Sequence, residues 1–179
     1  MKITDEYVFF WGDDDIYSNF YITPTPMVIG GKTIMFRSSE HAFMYIKALY
    51  FCDLKSADLI IKTSHPYDAK KIGRKVKNFN DILWSAISMT VMYDVNLAKF
   101  SHTEILRQCL LETGDRIIVE ASPYDKIWGI GLAENDPKAL DQSNWKGKNN
   151  LGKVLMQLRE TLKKDKIAKK MFTFLRALI

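Results

Sequence analysis

The stretch NDILWSAISMTVMYDVNLAKF, from Asn80 to Phe100, decides the fold class. Its apolar residues recur at the spacing of three and four residues that gives a helix one wide apolar face. Asn80 precedes them, and asparagine is a favoured N-cap because its side chain accepts a hydrogen bond from an amide of the first turn. The pattern therefore predicts one long helix and a helix-rich protein.

Four other stretches have helical patterns with recognisable ends, namely residues 38–51, 64–79, 102–115 and 149–165. Ser38 or Ser39 is a suitable cap for the first of them, and Glu40 lies in its first turn, where the helix dipole favours a negative charge. Pro66 suits the first turn of the second helix. Gly114 suits the left-handed position that ends the third.

The remaining segments predict a small amount of β-structure. YVFFW, residues 7–11, is aromatic and strand-like, and residues 12–26 resemble a loop. MVIGGKTIMF, residues 27–36, has two apolar arms around Gly30 and Gly31, which is typical of a tight hairpin. RIIVEA, residues 116–121, predicts a buried strand. The expected fold is a mainly α (α+β) single multihelical domain with an N-terminal strand and hairpin plus one buried strand.

The amino-acid composition limits the classes of function that the chain can have. The chain has 179 residues, 47% of them hydrophobic, and a net charge of +5 that favours anionic ligands such as phosphates and nucleotides. No apolar run is long enough for a membrane span or a signal peptide, so we expect a cytoplasmic protein. Cys52 and Cys109 lie in helix-like patterns, and neither a disulfide, a metal site nor a cofactor is expected.

The last segment, residues 165–179, alternates lysines with apolar residues as an amphipathic helix would. We treat it as a basic C-terminal extension that packs on the domain formed by residues 1–164. A partner-binding or oligomerisation helix is the alternative, and the sequence leaves the oligomeric state open.

Glu40 and Lys47 are the first candidates for a functional site. They are seven residues apart on a predicted helix and therefore share one face, with Phe43 and Met44 between them. A carboxylate and an amine that flank an apolar floor could hold a sugar-sized ligand. The alternative interpretation is an ordinary solvated face.

A second candidate is the basic stretch AKKIGRKVK, residues 69–77, in which Arg74 could grip a phosphate with its forked guanidinium. A solvated basic helix is the alternative. Trp84, on the long helix, could stack on a flat base, although most tryptophans in such a position belong to the core.

The third candidate is EASPYDKIWGIGL, residues 120–132, which follows the predicted buried strand. Asp125 and Trp128 would lie in a loop at the strand end, where side chains can be aimed into a cleft. Gly129 would allow close approach to a ligand. The amides around Asn149, at the start of the next helix, could cradle an anion. The alternative is a glycine-rich turn with a packed indole.

Six blocks in this order resemble the NADAR family, the YbiA-like N-glycosidases. They are YSNFY, SSEHAFMYIKAL, AKKIGRKV, ILWSAISMTVM, LLETGDRIIVEASPYDKIWGIGL and WKGKNNLGKVLMQLRE, and they span about residues 7–162. The resemblance implies hydrolysis of a C1′–N ribosyl bond. It further implies one of two substrate classes: small phosphoribosylamino-pyrimidine intermediates of riboflavin synthesis, or ADP-ribose attached to guanine in nucleic acid.

The resemblance also implies residue roles. Lys47 would form a Schiff base with the sugar, and Glu40 or Asp125 would protonate the leaving nitrogen and later activate water. Trp84 and Trp128 would wall the pocket and stack on the base. Arg74 would hold a phosphate, and the weaker parts of the family pattern match Asn19, Arg74 and Asn149. A module that binds ADP-ribose or a nucleotide without catalysis is the remaining alternative.

Overall fold

A computed structural model of the protein describes the backbone of residues 1–177 and the side chains of residues 1–165. Within that range the helices are α1 (Ser39–Tyr50), α2 (Leu54–Lys62), α3 (Pro66–Gly73), α4 (Asp81–His102), α5 (Glu104–Glu112) and α6 (Asn150–Ala177), with short 3₁₀ turns at Pro137–Leu140 and Gln142–Asn144. The strands are β1 (Lys2–Ile3), β2 (Tyr7–Phe10), β3 (Thr25–Ile29), β4 (Lys32–Phe36) and β5 (Ile117–Glu120). The predicted mainly α (α+β) class is confirmed.

The strands form two separate sheets. One has the order β1-β2-β5, in which β2 pairs parallel with β5 and Val8 lies opposite Ile118. The other is the hairpin of β3 and β4, whose turn is made by Gly30 and Gly31. Both glycines have positive φ, at 57° and 75°, which a residue with a side chain adopts only at a cost. The predicted hairpin is therefore confirmed with its turn.

The long helix α4 lies at the centre of the domain and contacts α1, α5, α6 and β3. Asn80 is its N-cap, and the Asn80 side chain accepts a hydrogen bond from the amide of Leu83. The main core fills the space between α1, α4, α6 and one face of the three-stranded sheet, where Phe10 and Ile118 are fully buried. The opposite face of the same sheet is covered by Ile130 and its neighbours, so both faces are buried.

Some boundaries differ from the sequence-based expectation. Helix α3 ends at Gly73, so Arg74 caps the helix instead of continuing the face that begins with Lys70. Helix α2 was not anticipated, and Asp53 caps it through a hydrogen bond from the Ser56 amide.

Helix α6 continues without interruption across residue 165, where the expected extension begins. The amphipathic pattern expected of that extension lies outside the described side chains. In the part of the chain that the structure describes, no helix combines the length and the apolar character needed to cross a bilayer.

Candidate active site

A cavity of about 240 Å³ opens beside α1, and we call it the inner cavity. Its walls come from the loop before β3, from α1, from the α3–α4 region and from β5 with the loop that follows it. Most of the predicted site residues line it, namely Asn19, Glu40, Lys47, Arg74, Trp84, Asp125 and Trp128. The pairing of β2 with β5 and the packing of α1 on α4 bring these distant segments of the chain together.

Lys47 lies in the last turn of α1 with its amine half-buried. Its Nζ donates a hydrogen bond to the carbonyl oxygen of Gly73 at 3.0 Å. The ring of Phe79 lies 4.1 Å from Nζ, and such a contact favours the ammonium form. Burial acts in the opposite direction and lowers the pKa of Lys47, with Arg74 acting in the same direction and Glu40 against it. The amine is therefore easier to deprotonate than a lysine in water.

Glu40 lies in the first turn of α1 and is almost fully buried, with 4% of its surface exposed. Its Oε1 is sealed from solvent and has no hydrogen-bond partner among the described residues. Burial raises the pKa of Glu40 to about 7, although the positive charge of Lys70 opposes the shift. A carboxyl group with such a pKa can both give and accept a proton near neutral pH.

Glu120, the last residue of β5, also lines the inner cavity, and sequence reasoning missed it. Part of its surface remains accessible, whereas its Oε2 is sealed from solvent and has no partner among the described residues. Burial raises the pKa of Glu120 to about 8, and the negative charges of Asp125 and Glu40 add to the effect. The available signal was an acidic residue at the carboxyl end of a strand that was predicted to be buried.

Asp125 organises the loop as well as facing the cavity. Its Oδ1 accepts hydrogen bonds from the amides of Ile127 at 2.9 Å and Trp128 at 2.8 Å. Its Oδ2 lies 4.0 Å from Nζ of Lys70. One oxygen of Asp125 is therefore occupied by the turn and the other faces a cation, so the side chain is held in place by the loop and by α3.

Aromatic rings form the floor of the inner cavity. Phe43 is central, with its ring 5.2 Å from that of Trp84 and 5.4 Å from that of Trp128, measured between centroids. Trp84 is buried in the main core, as the core interpretation expects, and it also lines the cavity. Trp128 is half-buried at the opposite wall.

Asn19 is held rigidly at the cavity wall. Its Nδ2 contacts Sδ of Met92 at 3.1 Å, and its Oδ1 accepts from Nδ2 of Asn96 at 3.2 Å. The backbone oxygen of Asn19 accepts from the amide of Glu40 at 2.9 Å, which ties this loop to the start of α1. The preceding residue, Ser18, offers its carbonyl oxygen to Nζ of Lys99 at 2.7 Å.

Gly129 lies outside the inner cavity. A Cβ at this position would come within 2.8 Å of the Glu120 carbonyl oxygen and 3.0 Å of that of Asp125. The glycine is therefore required by close packing of protein backbone, and the expectation that it makes room for a ligand finds no support in its surroundings.

Asn149 also lies outside the cavity lining and ties α6 to β5. Its Oδ1 accepts from the amide of Glu120 at 3.0 Å, and its Nδ2 donates to the carbonyl oxygen of Ile118 at 2.9 Å. Its φ of 50° is one that asparagine tolerates better than most residues. The geometry gives this side chain a positioning role for Glu120.

The predicted anion cradle at the start of α6 is not formed by these amides. The amides of residues 148–151 donate instead to four carbonyl oxygens of the loop that carries Trp128, at 2.9–3.3 Å. The acceptors are the carbonyls of Lys126, Gly129, Ile127 and Trp128. The positive end of the helix therefore anchors the loop and leaves these donors unavailable to a ligand.

Among the residues whose side chains are described, no three His, Cys, Asp or Glu side chains are grouped as metal ligands. The site thus presents a half-buried amine, the buried carboxyl group of Glu40, the partly accessible carboxyl group of Glu120 and an aromatic floor around a cavity of sugar size, and the pKa of both carboxyl groups is raised. This combination is typical of enzymes that do proton transfer and nucleophilic chemistry on a small ligand.

Comparison with known proteins identifies the protein family of this chain. The family model described as the NADAR domain matches residues 9–163, and the chain belongs to the NADAR family. The chain is 39% identical over 164 residues to N-glycosidase R617 of Acanthamoeba polyphaga mimivirus, covering 88% of this chain and 96% of the relative. It is 40% identical over 171 residues to protein irg-1 of Caenorhabditis elegans, covering 89% and 81%.

A solved structure supports the same assignment. The NMR structure of the E. coli protein YbiA superposes with a TM-score of 0.71 at 31% sequence identity, covering 93% of this chain and 90% of that one. Sequence comparison with N-glycosidase YbiA of Escherichia coli K12 gives 32% identity over 163 residues. The family therefore contains enzymes that act on N-glycosyl bonds.

Proposed function

We propose that this protein is an N-glycosidase that hydrolyses a C1′–N ribosyl bond through a Schiff base on Lys47. The observation that carries the proposal is the position of Lys47. Its half-buried amine lines a cavity of about 240 Å³ together with Glu40, whose pKa burial raises to about 7. The enzyme class agrees with the relatives named N-glycosidases.

The first chemical step is attack by the neutral amine. The lone pair of Nζ adds to C1′ of the ribose, and the electron pair of the C1′–N bond leaves with the base. The departing nitrogen takes a proton from the carboxyl group of Glu40, and Nζ keeps both of its protons and carries a positive charge in the C1′ adduct. The hydrogen bond from Nζ to the Gly73 oxygen fixes the direction of the amine without using its lone pair.

The second step regenerates the enzyme. The C1′–O4′ bond opens, O4′ takes one of the two Nζ protons, and a protonated C1′=Nζ imine forms. Glu40, now a carboxylate, accepts a proton from water as that water adds to C1′. The proton of the new C1′ hydroxyl then moves to Nζ, the C1′–Nζ bond breaks, and the sugar aldehyde and the free amine are released. Carboxyl groups with pKa values near neutrality suit both directions of proton transfer.

Two substrate classes remain, and they share the ribosyl group and a phosphate. Lys70 and Arg74 line the inner cavity and also face the exterior, where Lys71 and Lys75 join them in a basic groove. This charge suits the single 5′-phosphate of a phosphoribosylamino-pyrimidine, and it equally suits the pyrophosphate of ADP-ribose on guanine. We propose a small phosphorylated ribosyl compound or ADP-ribosylated nucleic acid as the partner molecule.

Borohydride trapping tests the mechanism. The protein is mixed with each substrate class, reduced with borohydride, digested and mapped by mass spectrometry. We expect a sugar adduct on the peptide that contains Lys47, and its absence in Lys47→Arg. An adduct on another lysine, or none during active turnover, would refute the Schiff base on Lys47.

A separate assay identifies the substrate. Release of free base is measured from an ADP-ribosylated guanine oligonucleotide and from the phosphoribosylamino-pyrimidines. Turnover of only one of the two classes identifies that class as the substrate. Binding of ADP-ribose without release of base from either class would favour the non-catalytic nucleotide-binding module instead.

A further inference from the structure

A second chamber of about 320 Å³ adjoins the inner cavity, and we call it the outer chamber. The two spaces share five lining residues, which form the junction between them. The junction residues are Phe20, Lys70, Arg74, Glu120 and Asp125. Nothing in the mechanism above uses the outer chamber.

The outer chamber is rimmed by aromatic side chains that are unusually exposed. Trp11 is 47% exposed, Tyr67 is 56% exposed and Tyr124 is 85% exposed. The rings of Trp11 and Tyr124 lie 6.2 Å apart, and those of Phe20 and Tyr67 lie 4.7 Å apart. Large aromatic side chains gathered at an open cleft provide stacking surfaces for a flat ligand.

Size indicates that the inner cavity cannot hold the whole substrate. Pockets that enclose drug-sized ligands have volumes of roughly 300–1,000 Å³. The inner cavity, at about 240 Å³, has room for the sugar, and a heterocycle joined to C1′ must extend elsewhere. The outer chamber adjoins it across the five junction residues.

The side chains that line each space indicate which part of the substrate binds there. The exterior groove has four cationic side chains, those of Lys70, Lys71, Arg74 and Lys75, and attracts phosphates. The outer chamber shares Lys70 and Arg74 with that groove, and it adds an aromatic rim and the carboxyl groups of Glu120 and Asp125. A neutral carboxyl group can donate one hydrogen bond and accept another, as the edge of a nitrogen heterocycle requires.

We propose that the outer chamber is the binding site for the planar nitrogen heterocycle that leaves C1′. The heterocycle stacks on Trp11, and the Tyr124 ring, tilted by 55° to that of Trp11, contacts it from the side. Glu120 at the junction hydrogen-bonds the edge of the heterocycle. The scissile bond then spans the junction, with the ribose on the Lys47 side. This inference rests on the proposed function, because only an N-ribosyl substrate has these two parts.

Tryptophan fluorescence tests the assignment without any turnover. Guanosine serves as the probe for the heterocycle, and ribose 5-phosphate serves as the probe for the sugar. We expect guanosine to quench the wild type and the quench to disappear in Trp11→Phe. Ribose 5-phosphate should give the same signal in the wild type and in Trp11→Phe. Trp145→Phe is the matched control, because the Trp145 indole donates to the Ala139 oxygen and lines neither chamber.

Kinetics on the substrate that is turned over provide the second measurement. Loss of one aromatic ring should raise KM about tenfold in Trp11→Ala and in Tyr124→Ala, with a smaller change in kcat. Glu120→Gln, which keeps a donor and an acceptor, should bind guanosine nearly as well as the wild type, and Glu120→Leu should bind it at least about fivefold more weakly.

The outcomes separate this inference from the proposed function. If the enzyme turns over substrate but the guanosine quench is absent, or is lost in Trp128→Phe and kept in Trp11→Phe, the heterocycle does not occupy the outer chamber. If the quench follows Trp11 while neither substrate class is cleaved, the binding site stands and the N-glycosidase proposal fails.

Discussion

Nζ of Lys47 donates a hydrogen bond to the carbonyl oxygen of Gly73, at 3.0 Å, and thereby joins the end of α1 to the end of α3. The two helices come this close because Gly73 has no side chain. A Cβ there would collide with Sδ and Cγ of Met44. The proposed nucleophile is therefore aimed by backbone geometry, and its direction does not depend on a carboxylate partner.

Lys47→Ala should reduce turnover by roughly 10³-fold or more, because no other amine would replace the attacking group. The fold should survive, with a loss of about 1 kcal/mol or less, since the amine is half-buried and its removal leaves only a small cavity. Turnover and thermal unfolding measured on the same preparation check this. Lys55→Ala, an exposed lysine on α2, is the matched control. Collapse of thermal stability would instead make Lys47 a structural residue.

Glu40→Gln should lower kcat by roughly 10²- to 10⁴-fold and change the pH profile. The wild-type acid must be protonated, so kcat should fall as the pH rises above about 7, the pKa of Glu40. This decrease of kcat at high pH should be absent in Glu40→Gln. If kcat of Glu40→Gln still falls at high pH as in the wild type, another group is the acid. Glu120 is the first alternative because its pKa is about 8.

The same substitution predicts a change in stability with a defined sign. The pKa of Glu40 is raised from 4.5 in the unfolded reference to about 7, so its contribution to stability is fully present below pH 4.5 and is lost as the pH rises through 7. Glu40→Gln has no carboxyl group to ionise, so its free energy of unfolding does not decrease in this way as the pH rises. Its stability relative to the wild type should therefore be greater at pH 8 than at pH 5, as measured by urea unfolding at both values.

Asn149→Ala should destabilise the protein by about 2–4 kcal/mol, because it leaves the amide of Glu120 and the carbonyl of Ile118 without partners. Asn78→Ala is the control. Asn78 also has a positive φ, of 56°, but its side chain is exposed, so only the backbone preference is lost. The free energy of unfolding of both variants is measured by chemical denaturation. Equal losses in the two variants would show that the Asn149 side chain does not stabilise the contact between α6 and β5.

Lys99→Met tests a buried amine next to the site. Lys99 is fully buried, its Nζ holds the Ser18 carbonyl, and burial lowers its pKa from 10.5 to about 7. A lowered lysine pKa means that its contribution to stability is present above pH 10.5 and is lost as the pH falls through 7. The variant should therefore be most stabilised, relative to the wild type, at pH 6.

Turnover of Lys99→Met should nevertheless fall, because the Ser18 carbonyl loses its partner and the adjoining Asn19 backbone supports the start of α1 at Glu40. Higher thermal stability together with a lower kcat is the expected pair of results. Lower stability at every pH would show that Lys99 acts only as a structural support.

The sequence predicted the helices well where their ends carry caps. Ser38, Asn80 and Gly114 each occupy the expected position, because a cap depends on a hydrogen bond or a φ value within a few residues. Glu40 and Lys47 were placed on one face for the same local reason. Helix α2 was missed, although Asp53 caps it in the ordinary way.

The parts that could not be predicted depend on residues far apart in the chain. The pKa of Glu120 is raised because the fold partly buries the end of β5, and the Asn149 side chain lies outside the cavity because it hydrogen-bonds the backbone of β5. Phe79, between α3 and α4, contacts Lys47 through the packing of those helices. No local pattern contains this information.

The parallel pairing of β2 with β5 has a consequence for how the chain acquires activity. Tyr7 and Ile117 are register partners, so one wall of the site is absent until the most distant parts of the sheet have met. A nascent chain that has emerged only as far as α5 carries the amine but not the opposing wall. Appearance of enzyme activity during refolding should thus report completion of the whole domain rather than formation of its individual helices.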